Sequence, residues 1–382
     1  MVLPSRRHRP TLAQTPQTTI VSSSTASAYS AVVAAIRAEG GWLEFSRYLD
    51  IALNSPQHGY YGSGRVHFGA GGDFDTAPTI SPLFGETIAE QITQMLNIVG
   101  GGVLELGAGD GDLAAQILNT SQVPSYWILE TSAPLRRRTR KKLSGQSVTW
   151  LNALPETFNG VIIVNEVLDS VPFRLFAKRR GGWCERGIIL QNDTLAFAEK
   201  PATDIIVNRL SELSDELPDG YETEINPRAE ALVSALAETL SNGLLLIADY
   251  GFGRREYYHP QRTGGTMMCH HRHMADTNPL AAPGDKDVTA HVDFSAIAEA
   301  GLIGNAVFAG YTTQANFLIN CGITEKLVTY QNGTVQYAKL TAGVQKLLAP
   351  QEMGELFKFI AFTKGDIPPP IGFINGDKSE RL

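Results

Sequence analysis

The chain has 382 residues, of which 43% are hydrophobic and 19% are charged, a composition that excludes a wholly disordered, collagenous or membrane-embedded protein. Its formal net charge of −7 argues against a surface built to bind nucleic acid or anionic lipid. The three cysteines lie far apart and form no Cys-x-x-Cys pair, which disfavours a disulfide scaffold and indicates a reducing compartment. The sequence contains no run of 18 apolar residues, so we expect no membrane span.

The N-terminal region has its own composition. Residues 1–27 are rich in Ser, Thr and Pro and contain no acidic residue, so we expect a disordered tail. A mitochondrial transit peptide has a similar composition, but Pro4, Pro10 and Pro16 would interrupt its amphipathic helix. We therefore expect a bacterial cytoplasmic protein, with the mitochondrial matrix as the alternative. Residues 28–98 are predicted to form a helical subdomain and a Gly-rich loop that covers a cofactor.

The central region alternates short apolar runs with helical patterns. This predicts an α/β fold with a Rossmann-like parallel sheet and helices on both faces, and we assign residues 99–251 to that core. Turn signals between residues 173 and 198 indicate inserted antiparallel hairpins. The predicted core strands are 103–106, 126–129, 161–164 and 244–248, and the predicted helices are one beginning after Asp110, 136–143, 202–214 and 227–241.

The C-terminal third begins with a long segment without periodicity. Residues 252–290 are rich in Gly, His and Pro and are too long for a plain connector, so we predict a functional lid or binding loop there. The predicted domains continue with a lid and substrate region at 252–348, a closing strand of the core within 349–366, and a flexible tail at 367–382. Further helices are predicted at 293–300, 312–320 and 334–348.

A glycine-rich turn is the most informative motif. The first core strand runs into Gly107, Gly109 and Gly111, and a helix follows. Glycines allow a tight turn and close approach of a ligand, while the helix N-terminus presents free N–H groups to an anion. The dinucleotide fingerprint needs a third glycine where Asp112 stands, so a dinucleotide-dependent oxidoreductase is the disfavoured alternative.

The full spacing of this turn is Glu105-x-Gly-x-Gly-x-Gly, which resembles motif I of class I S-adenosylmethionine-dependent methyltransferases. In those enzymes the loop wraps the methionyl part of the cofactor. The next strand ends at Glu130, 19 residues beyond Gly111, where an acid can accept hydrogen bonds from both ribose hydroxyls.

Three longer stretches resemble one family of these methyltransferases, the MidA family, whose mitochondrial members are complex I assembly arginine methyltransferases. Two departures occur: Ala108 stands where the family usually has Pro, and Asp75 where it usually has an aromatic residue. The matching stretches are residues 72–78 with 81–85, residues 165–172, and residues 287–294.

The resemblance implies an S-adenosylmethionine-dependent methyltransferase of a protein arginine side chain. The implied partner is a protein substrate, which in the mitochondrial branch is a core complex I subunit. Independently of the resemblance, we allow for a homodimer. The alternative is an assembly or interaction factor that binds S-adenosylmethionine without catalysis. The cofactor-binding residues that the resemblance and motif I imply are Glu105, Gly107, Gly109, Gly111, Glu130, Asn165, Thr76 and Pro78.

Four further residues are candidates for catalysis. Glu166 and Asp169 follow the predicted strand 161–164 and are three residues apart. On a helical turn both would lie on one face, and such a pair could hold a guanidinium. The alternative is that one carboxylate caps a helix and the other is solvated. His291 and Asp293 are candidates for holding the lid or moving a proton.

Two clusters receive less specific interpretations. The run of Cys, His and Arg at 269–273, with the later His291 and Asp293, raises the question of a metal site. Adjacent histidines cannot all face one ion and the spacing of a zinc motif is missing, so we expect no metal. The basic helix at 136–142 is expected to be a solvated face or a patch for an acidic partner, and nucleic acid is the disfavoured alternative.

Overall fold

A computed structural model of the chain describes residues 23–69, 72, 75–213, 217–271 and 274–382. Residues 1–22 of the predicted tail lie outside the described residues. The last part of that predicted tail, from Ser23 onward, belongs to the first helix. The strands are β1 (Leu43–Glu44), β2 (Gly102–Leu106), β3 (Tyr126–Leu129), β4 (Val148–Leu151), β5 (Phe158–Asn165), β6 (Arg174–Arg179), β7 (Gly182–Gln191), β8 (Thr194–Pro201), β9 (Glu222–Ile225), β10 (Leu240–Phe252), β11 (Met268–His271), β12 (Met274–Asp276), β13 (Asp287–Thr289), β14 (Val292–Asp293), β15 (Val307–Thr313) and β16 (Phe357–Lys364).

The helices connect and cover these strands. Single 3₁₀ turns occur at Leu168–Ser170, Ile371–Phe373 and Ser379–Arg381, and π-helical turns occur at Asp50–Asn54 and Pro350–Gly354. The α-helices are α1 (Ser23–Ala38), α2 (Phe45–Leu49), α3 (Ala77–Ile80), α4 (Leu83–Val99), α5 (Asp112–Thr120), α6 (Ala133–Lys142), α7 (Asp204–Leu213), α8 (Pro227–Thr239), α9 (Arg254–Tyr257), α10 (Phe294–Ile303), α11 (Gln314–Asn320), α12 (Ile323–Val328) and α13 (Val335–Leu348).

The main sheet has the strand order β4-β3-β2-β5-β10-β16-β15, and β14 pairs with the end of β10. The strands from β4 to β10 run parallel, while β16 is antiparallel to both β10 and β15. In register across the centre, Ile162 lies opposite Leu104 on one side and Leu245 on the other. This order confirms the predicted Rossmann-like α/β sheet.

Both faces of the main sheet are buried, because side chains alternate between the two faces along each strand. On β5, Val161 and Ile163 contribute to the core beneath α4, α5, α11 and α13. Ile162 and Val164 contribute to the opposite core, beneath α8 and α10. The near-continuous apolar runs of the sequence therefore reflect a sheet that is covered on both sides.

Two smaller sheets accompany the main sheet. The predicted hairpins form a five-stranded antiparallel sheet of order β1-β7-β6-β9, with β8 paired to β7. Helix α7 packs on it through Leu210, against Phe176. In the region predicted as a lid, β12, β11 and β13 form a three-stranded antiparallel sheet. Among the described residues, none of the helices is long and apolar enough to cross a membrane.

Two predicted boundaries differ from the structure. The sequence assigns α4 to an N-terminal subdomain within 28–98, but Phe84 and Ile88 of α4 pack in the core of the main sheet. The sequence assigns 252–348 to the lid, but β15 forms the edge of the main sheet. In both cases the packing partner is distant in sequence, and local patterns do not reveal it.

The C-terminal segment 367–382 is not a free tail. Phe373 is buried, and its ring lies 5.4 Å from that of Phe317 on α11. The backbone N–H of Lys378 donates to the carbonyl of Tyr311 on β15 at 2.8 Å. The segment is therefore fixed against the edge of the main sheet by contacts that its short, Pro- and Gly-rich sequence does not indicate.

Candidate active site

The glycine turn after β2 has the backbone that motif I requires. Gly107, Gly109 and Gly111 adopt φ values of 62°, 55° and 81°, in the left-handed region that favours glycine. A Cβ on Gly107 would lie 2.7 Å from Val167 Cγ2, and one on Gly111 would lie 2.6 Å from Thr139 Cγ2. Larger residues at these two positions would therefore displace the turn or its neighbours.

Glu130 lies at the end of β3 and contacts the glycine turn directly. Its Oε2 accepts a hydrogen bond from the Gly109 N–H at 3.2 Å, and its Oε1 accepts one from the Ser132 N–H at 2.8 Å. Burial raises the pKa of Glu130, and these backbone donors oppose that rise. Each carboxylate oxygen has a further lone pair, so the group can still accept hydrogen bonds from two hydroxyls.

A small cavity of about 70 Å³ adjoins the turn on the side of β2 and β5. Glu105 lines it, and burial raises the pKa of this carboxyl to about 7, while the Tyr126 hydroxyl donates to it at 2.8 Å. Asn165 also lines the cavity, and its buried Oδ1 has no hydrogen-bond partner among the described residues. These two acceptors suit a positively charged amino group.

The main cavity has a volume of about 720 Å³ and opens at the carboxyl end of the parallel strands. Its walls combine the glycine turn, the start of α6, the loop around Tyr61, and the three-stranded sheet. The described ionisable side chains that line it are Asp75, Glu130, Glu166, Asp169, Asp287, Arg137, His270, His291, Tyr61 and Tyr250. Carboxylates thus outnumber cations in this cavity.

Glu166 begins the turn after β5 with a φ of 52°, a left-handed conformation that is unusual for a residue other than glycine. Its Oε1 accepts hydrogen bonds from the Ala77 N–H at 2.9 Å and from Asn165 Nδ2 at 3.2 Å. Burial raises the pKa of Glu166 to about 8, the Ala77 N–H opposes this rise, and the nearby Asp169 adds to it. The strained backbone therefore aims a carboxyl with an unusually high pKa into the main cavity.

Asp169 lies on the 3₁₀ turn next to Glu166. The Tyr250 hydroxyl donates to its Oδ2 at 2.7 Å, whereas its buried Oδ1 has no hydrogen-bond partner within the described chain. Burial raises the pKa of Asp169 to about 6, so most of this carboxyl is ionised at neutral pH. The predicted pair of carboxylates is thus brought to one cavity wall.

The residue that organises this turn is Asp249, which lies on β10 three residues before the end of the strand. Its Oδ2 accepts hydrogen bonds from the N–H groups of Val167, Leu168 and Asp169 at 3.2, 2.9 and 3.3 Å. The alternative in which Glu166 or Asp169 caps a helix is wrong for this turn, because its N-cap residue is Val167 and the acceptor of its N–H groups is Asp249. The sequence does not indicate this role of Asp249, apart from its position directly after the predicted strand 244–248.

The loop before α3 completes the wall next to Glu166. Thr76 is the N-cap of α3 and lines the main cavity, and Pro78 lines the small cavity. Both residues predicted to bind cofactor therefore lie at cavity walls. Residues 73 and 74 of the same motif lie outside the described residues.

Of the residues His291 and Asp293, only His291 lines the main cavity. His291 lines the main cavity, with its ring 5.1 Å from that of Tyr250, and burial lowers its pKa to about 4. Asp293 does not line the main cavity: its Oδ1 caps α10 by accepting from the N–H groups of Ser295 and Ala296 at 3.1 and 3.2 Å. The capping geometry gives Asp293 a structural place that its spacing from His291 does not indicate.

The histidine-rich run of the lid is divided in the same way. Cys269 is buried, His270 lines the main cavity, and His271 Nδ1 lies 2.7 Å from the carbonyl of Asp285. His273 lies outside the described residues. Among the residues that the structure describes, no three His, Cys, Asp or Glu side chains are grouped so that they could hold a metal ion.

The basic helix α6 is largely occupied by contacts within the protein. Arg138 Nη1 donates to the Val66 carbonyl at 2.7 Å, and Lys142 pairs with Asp112 at 2.7 Å. Arg136 donates to the Leu151 carbonyl at 3.0 Å, and the guanidinium of Arg140 lies over the Trp150 ring. These contacts therefore connect α6 to the loop that contains Val66, to the start of α5 and to β4.

The site fits S-adenosylmethionine. The glycine turn leaves the space that side chains would fill, Glu130 retains acceptor capacity for two hydroxyls, and Asn165 presents an unpaired acceptor next to Glu105. Two cavities with these polar groups lie at the carboxyl ends of parallel strands, where open α/β sheets bind their ligands.

Comparisons with known proteins agree with this geometry. A family model described as an S-adenosyl-L-methionine-dependent methyltransferase matches residues 84–312. A crystal structure from Burkholderia thailandensis with bound S-adenosyl-homocysteine is 42% identical, with a TM-score of 0.91, and the alignment covers 94% of this chain and 97% of that chain. A second structure from the same organism, without that ligand in its description, is 41% identical, with a TM-score of 0.88 and the same coverage of both chains.

Curated relatives include the mouse and bovine mitochondrial proteins named protein arginine methyltransferase NDUFAF7, which are 28% and 29% identical. The alignments cover 84% of this chain in both cases, and 81% and 80% of the relatives. The family match spans more than half of the chain and includes β2, the glycine turn and the carboxylate pair. The chain therefore belongs to the MidA family of S-adenosylmethionine-dependent methyltransferases.

Proposed function

We propose that this protein transfers a methyl group from S-adenosylmethionine to the guanidinium group of an arginine in a protein substrate. The observation that carries the proposal is the carboxylate pair Glu166 and Asp169 at one wall of the main cavity, beside the glycine turn. The names of the NDUFAF7 relatives support an arginine acceptor.

The charge of the main cavity favours a cationic acceptor. Within the described chain, its lining contains five carboxylates and one arginine, Arg137. A buried carboxylate gains stability when a cation enters, because burial removes its charge from water. A guanidinium offers five N–H donors in a planar fork, which suits two carboxylates at once better than a compact ammonium does.

When bound, the cofactor supplies a methyl group on a positively charged sulfur. The acceptor nitrogen bonds to the methyl carbon, and the sulfur keeps the electrons of the broken bond in S-adenosylhomocysteine. One N–H proton of the acceptor is lost. Alignment of the acceptor with the methyl group is the main task of the protein, and such positioning contributes up to about 7–11 kcal/mol in favourable cases.

The two carboxyl groups have different tasks: both hold the acceptor, and Asp169 also takes the proton. Asp169 Oδ1 has no hydrogen-bond partner among the described residues and belongs to the more acidic carboxyl, so it accepts a guanidinium N–H and then the proton. Tyr250 and Asp249 fix the orientation of Asp169 through its Oδ2 and its backbone N–H. A guanidinium has a pKa of about 12.5 or more, so its proton leaves during or after methyl transfer.

Glu166 holds the guanidinium from the same wall. Its two hydrogen bonds within the described chain both go to Oε1, which leaves Oε2 for the acceptor. Entry of a cation lowers the pKa of the carboxyl, so we expect Glu166 to release its proton when the acceptor binds.

The acceptor protein is proposed from the relatives. We infer a bacterial cytoplasmic enzyme, because the Burkholderia proteins are 41–42% identical and the mitochondrial proteins 27–29% identical. The family resemblance favours a core subunit of respiratory complex I as the protein substrate.

The test is transfer of labelled methyl groups to an extract that lacks the endogenous enzyme, followed by hydrolysis and amino-acid analysis of the labelled protein. We expect methylarginine, with labelling lost in Glu166→Gln and Asp169→Asn and retained in Glu238→Gln, which changes an exposed glutamate. Label on another amino acid would refute an arginine acceptor. Absence of label from a protein that binds S-adenosylhomocysteine would favour the alternative of a non-catalytic assembly factor.

A further inference from the structure

The charged side chains that line the main cavity differ in their exposure to solvent. All five carboxyl groups of its described lining are buried or half-buried. Arg137, on α6, is exposed, and among the described residues it is the one permanently cationic side chain of this lining. The anionic groups therefore lie inside the cavity, and a cation lies where solvent reaches its wall.

Arg137 differs from its neighbours on α6, because its guanidinium has no partner within the described part of the chain. Arg136, Arg138 and Arg140 instead donate to carbonyls or lie over an aromatic ring. An unpaired guanidinium retains five N–H donors in a planar fork, which matches the two oxygens of a carboxylate. Since the side chain is exposed, it is hydrated in the unbound protein and accessible to an anionic ligand.

The cofactor does not supply this anion. S-adenosylmethionine has one carboxylate, which is bonded to the same carbon as its amino group. Glu105 and Asn165 of the small cavity suit that amino group, so the carboxylate also lies there, beside the glycine turn. Arg137 lines the main cavity and not the small one, and the adenosine part of the cofactor has no anionic group. The anion that pairs with Arg137 therefore comes from the acceptor.

We propose that Arg137 is a specificity-determining residue, which binds an acidic side chain of the protein substrate close in sequence to the methylated arginine. The inference rests on the proposed arginine acceptor and deepens it, because it names the chemistry of the residues around that arginine. The substrate segment then carries both charges: its cation binds the carboxyl groups inside the cavity, and its anion binds Arg137. A substrate without the acid would meet a like charge at Arg137. Charge pairs of this kind contribute more to the choice of partner than to total affinity.

The experiment uses blocked, glycine-rich peptides with one central arginine, titrated into protein saturated with S-adenosylhomocysteine and measured by calorimetry. In one series aspartate replaces each flanking glycine in turn, and in a second series lysine replaces it. We expect the best aspartate peptide to bind the wild type about threefold to fivefold more tightly than the all-glycine peptide at low salt. This gain should shrink as the salt concentration rises, because ions screen exposed pairs.

Two matched variants locate the effect on α6. Arg137→Glu should abolish the gain from aspartate and favour lysine at the same peptide position, because the charge is reversed. Lys141→Glu makes the same change of charge on the same helix, at an exposed residue that does not line the cavity. It should retain the gain from aspartate. Both variants should bind S-adenosylhomocysteine as the wild type does, which also shows that they are folded.

Three results would overturn the inference: no aspartate peptide that binds the wild type more tightly than the all-glycine peptide, an equal loss of the gain in Lys141→Glu, or a loss of S-adenosylhomocysteine affinity in Arg137→Glu alone. The last result would assign Arg137 to the cofactor. An aspartate gain that depends on Arg137, in a protein whose labelled extract contains no methylarginine, would refute the proposed function and support this role of Arg137. Methylarginine formation without any preference for aspartate would do the reverse.

Discussion

The pKa of Glu166 gives a stability prediction that is independent of catalysis. In the unfolded chain this carboxyl has an ordinary pKa of 4.5, and in the folded protein burial raises it to about 8. Between these two pH values the folded state binds a proton that the unfolded state does not. Raising the pH through this window therefore lowers the stability of the wild-type protein. The stabilisation that comes from proton binding by folded Glu166 is fully present only below pH 4.5.

Glu166→Gln removes this pH dependence. The amide oxygen of Gln can accept the hydrogen bonds from Ala77 and Asn165, so the variant resembles the protonated wild type at every pH. One pKa unit corresponds to about 1.4 kcal/mol, so a rise from 4.5 to about 8 gives an upper limit of about 5 kcal/mol. Glu166 is partly exposed to solvent, which reduces the effect, and we expect about 2 kcal/mol.

The assay is denaturant unfolding of wild type and Glu166→Gln at several pH values between 4.5 and 9. The variant should match the wild type near pH 5 and be more stable by about 2 kcal/mol at pH 8.5. Glu238→Gln, at an exposed position, should show no such trend. A difference that stays constant with pH, or a wild type that gains relative stability as the pH rises, would refute a protonated Glu166.

Other parts of the site give further predictions. Gly111→Ala should lower the free energy of unfolding by about 2 kcal/mol in denaturant titrations, because the new methyl group meets Thr139 and the backbone is left-handed. Glu130→Gln should weaken S-adenosylhomocysteine binding about tenfold in calorimetry, because a neutral amide accepts weaker hydrogen bonds than a carboxylate. Asp249→Ala should cost about 3 kcal/mol in thermal unfolding and abolish methyl transfer, because buried N–H groups of the turn that carries Asp169 lose their acceptor. Lys346→Ala should change unfolding by less than about 1 kcal/mol, because its pair with Asp75 is partly exposed.

Matched variants separate the causes of these effects. Gly145 also has a positive φ, of 97°, but a Cβ there would meet no atom within 4 Å, so Gly145→Ala measures backbone strain without the clash. Equal losses for Gly111→Ala and Gly145→Ala would contradict the steric part of the argument. Glu156→Gln, at an exposed position, is the control for Glu130→Gln, and equal affinity of both variants for S-adenosylhomocysteine would contradict a ribose-binding role of Glu130.

Local sequence patterns were sufficient for the parts of the protein in which neighbouring residues act together. The glycine turn follows β2 directly, so its spacing with Glu105 already indicated the backbone that Gly107, Gly109 and Gly111 adopt. The pair Glu166 and Asp169 is three residues apart, and both line one cavity because a single turn carries them. Apolar runs similarly predicted the buried strands of the main sheet, since a parallel strand is covered on both faces.

Contacts between distant residues could not be predicted in this way. Asp249 is 80 residues from Asp169, whose N–H it binds, and only the parallel pairing of β10 with β5 brings them together. Asp293 follows His291 by two residues, yet it caps α10 and does not line the main cavity.

The sequence by itself determined the α/β class, the glycine turn and the pair Glu166 and Asp169, because each depends on spacing within one strand and its following turn. The tertiary structure decided which acids share a cavity, and where β15 and the C-terminal segment pack. Burial, which raises the pKa of Glu166 to about 8, is likewise a property of the assembled walls and not of the residue's neighbours in sequence.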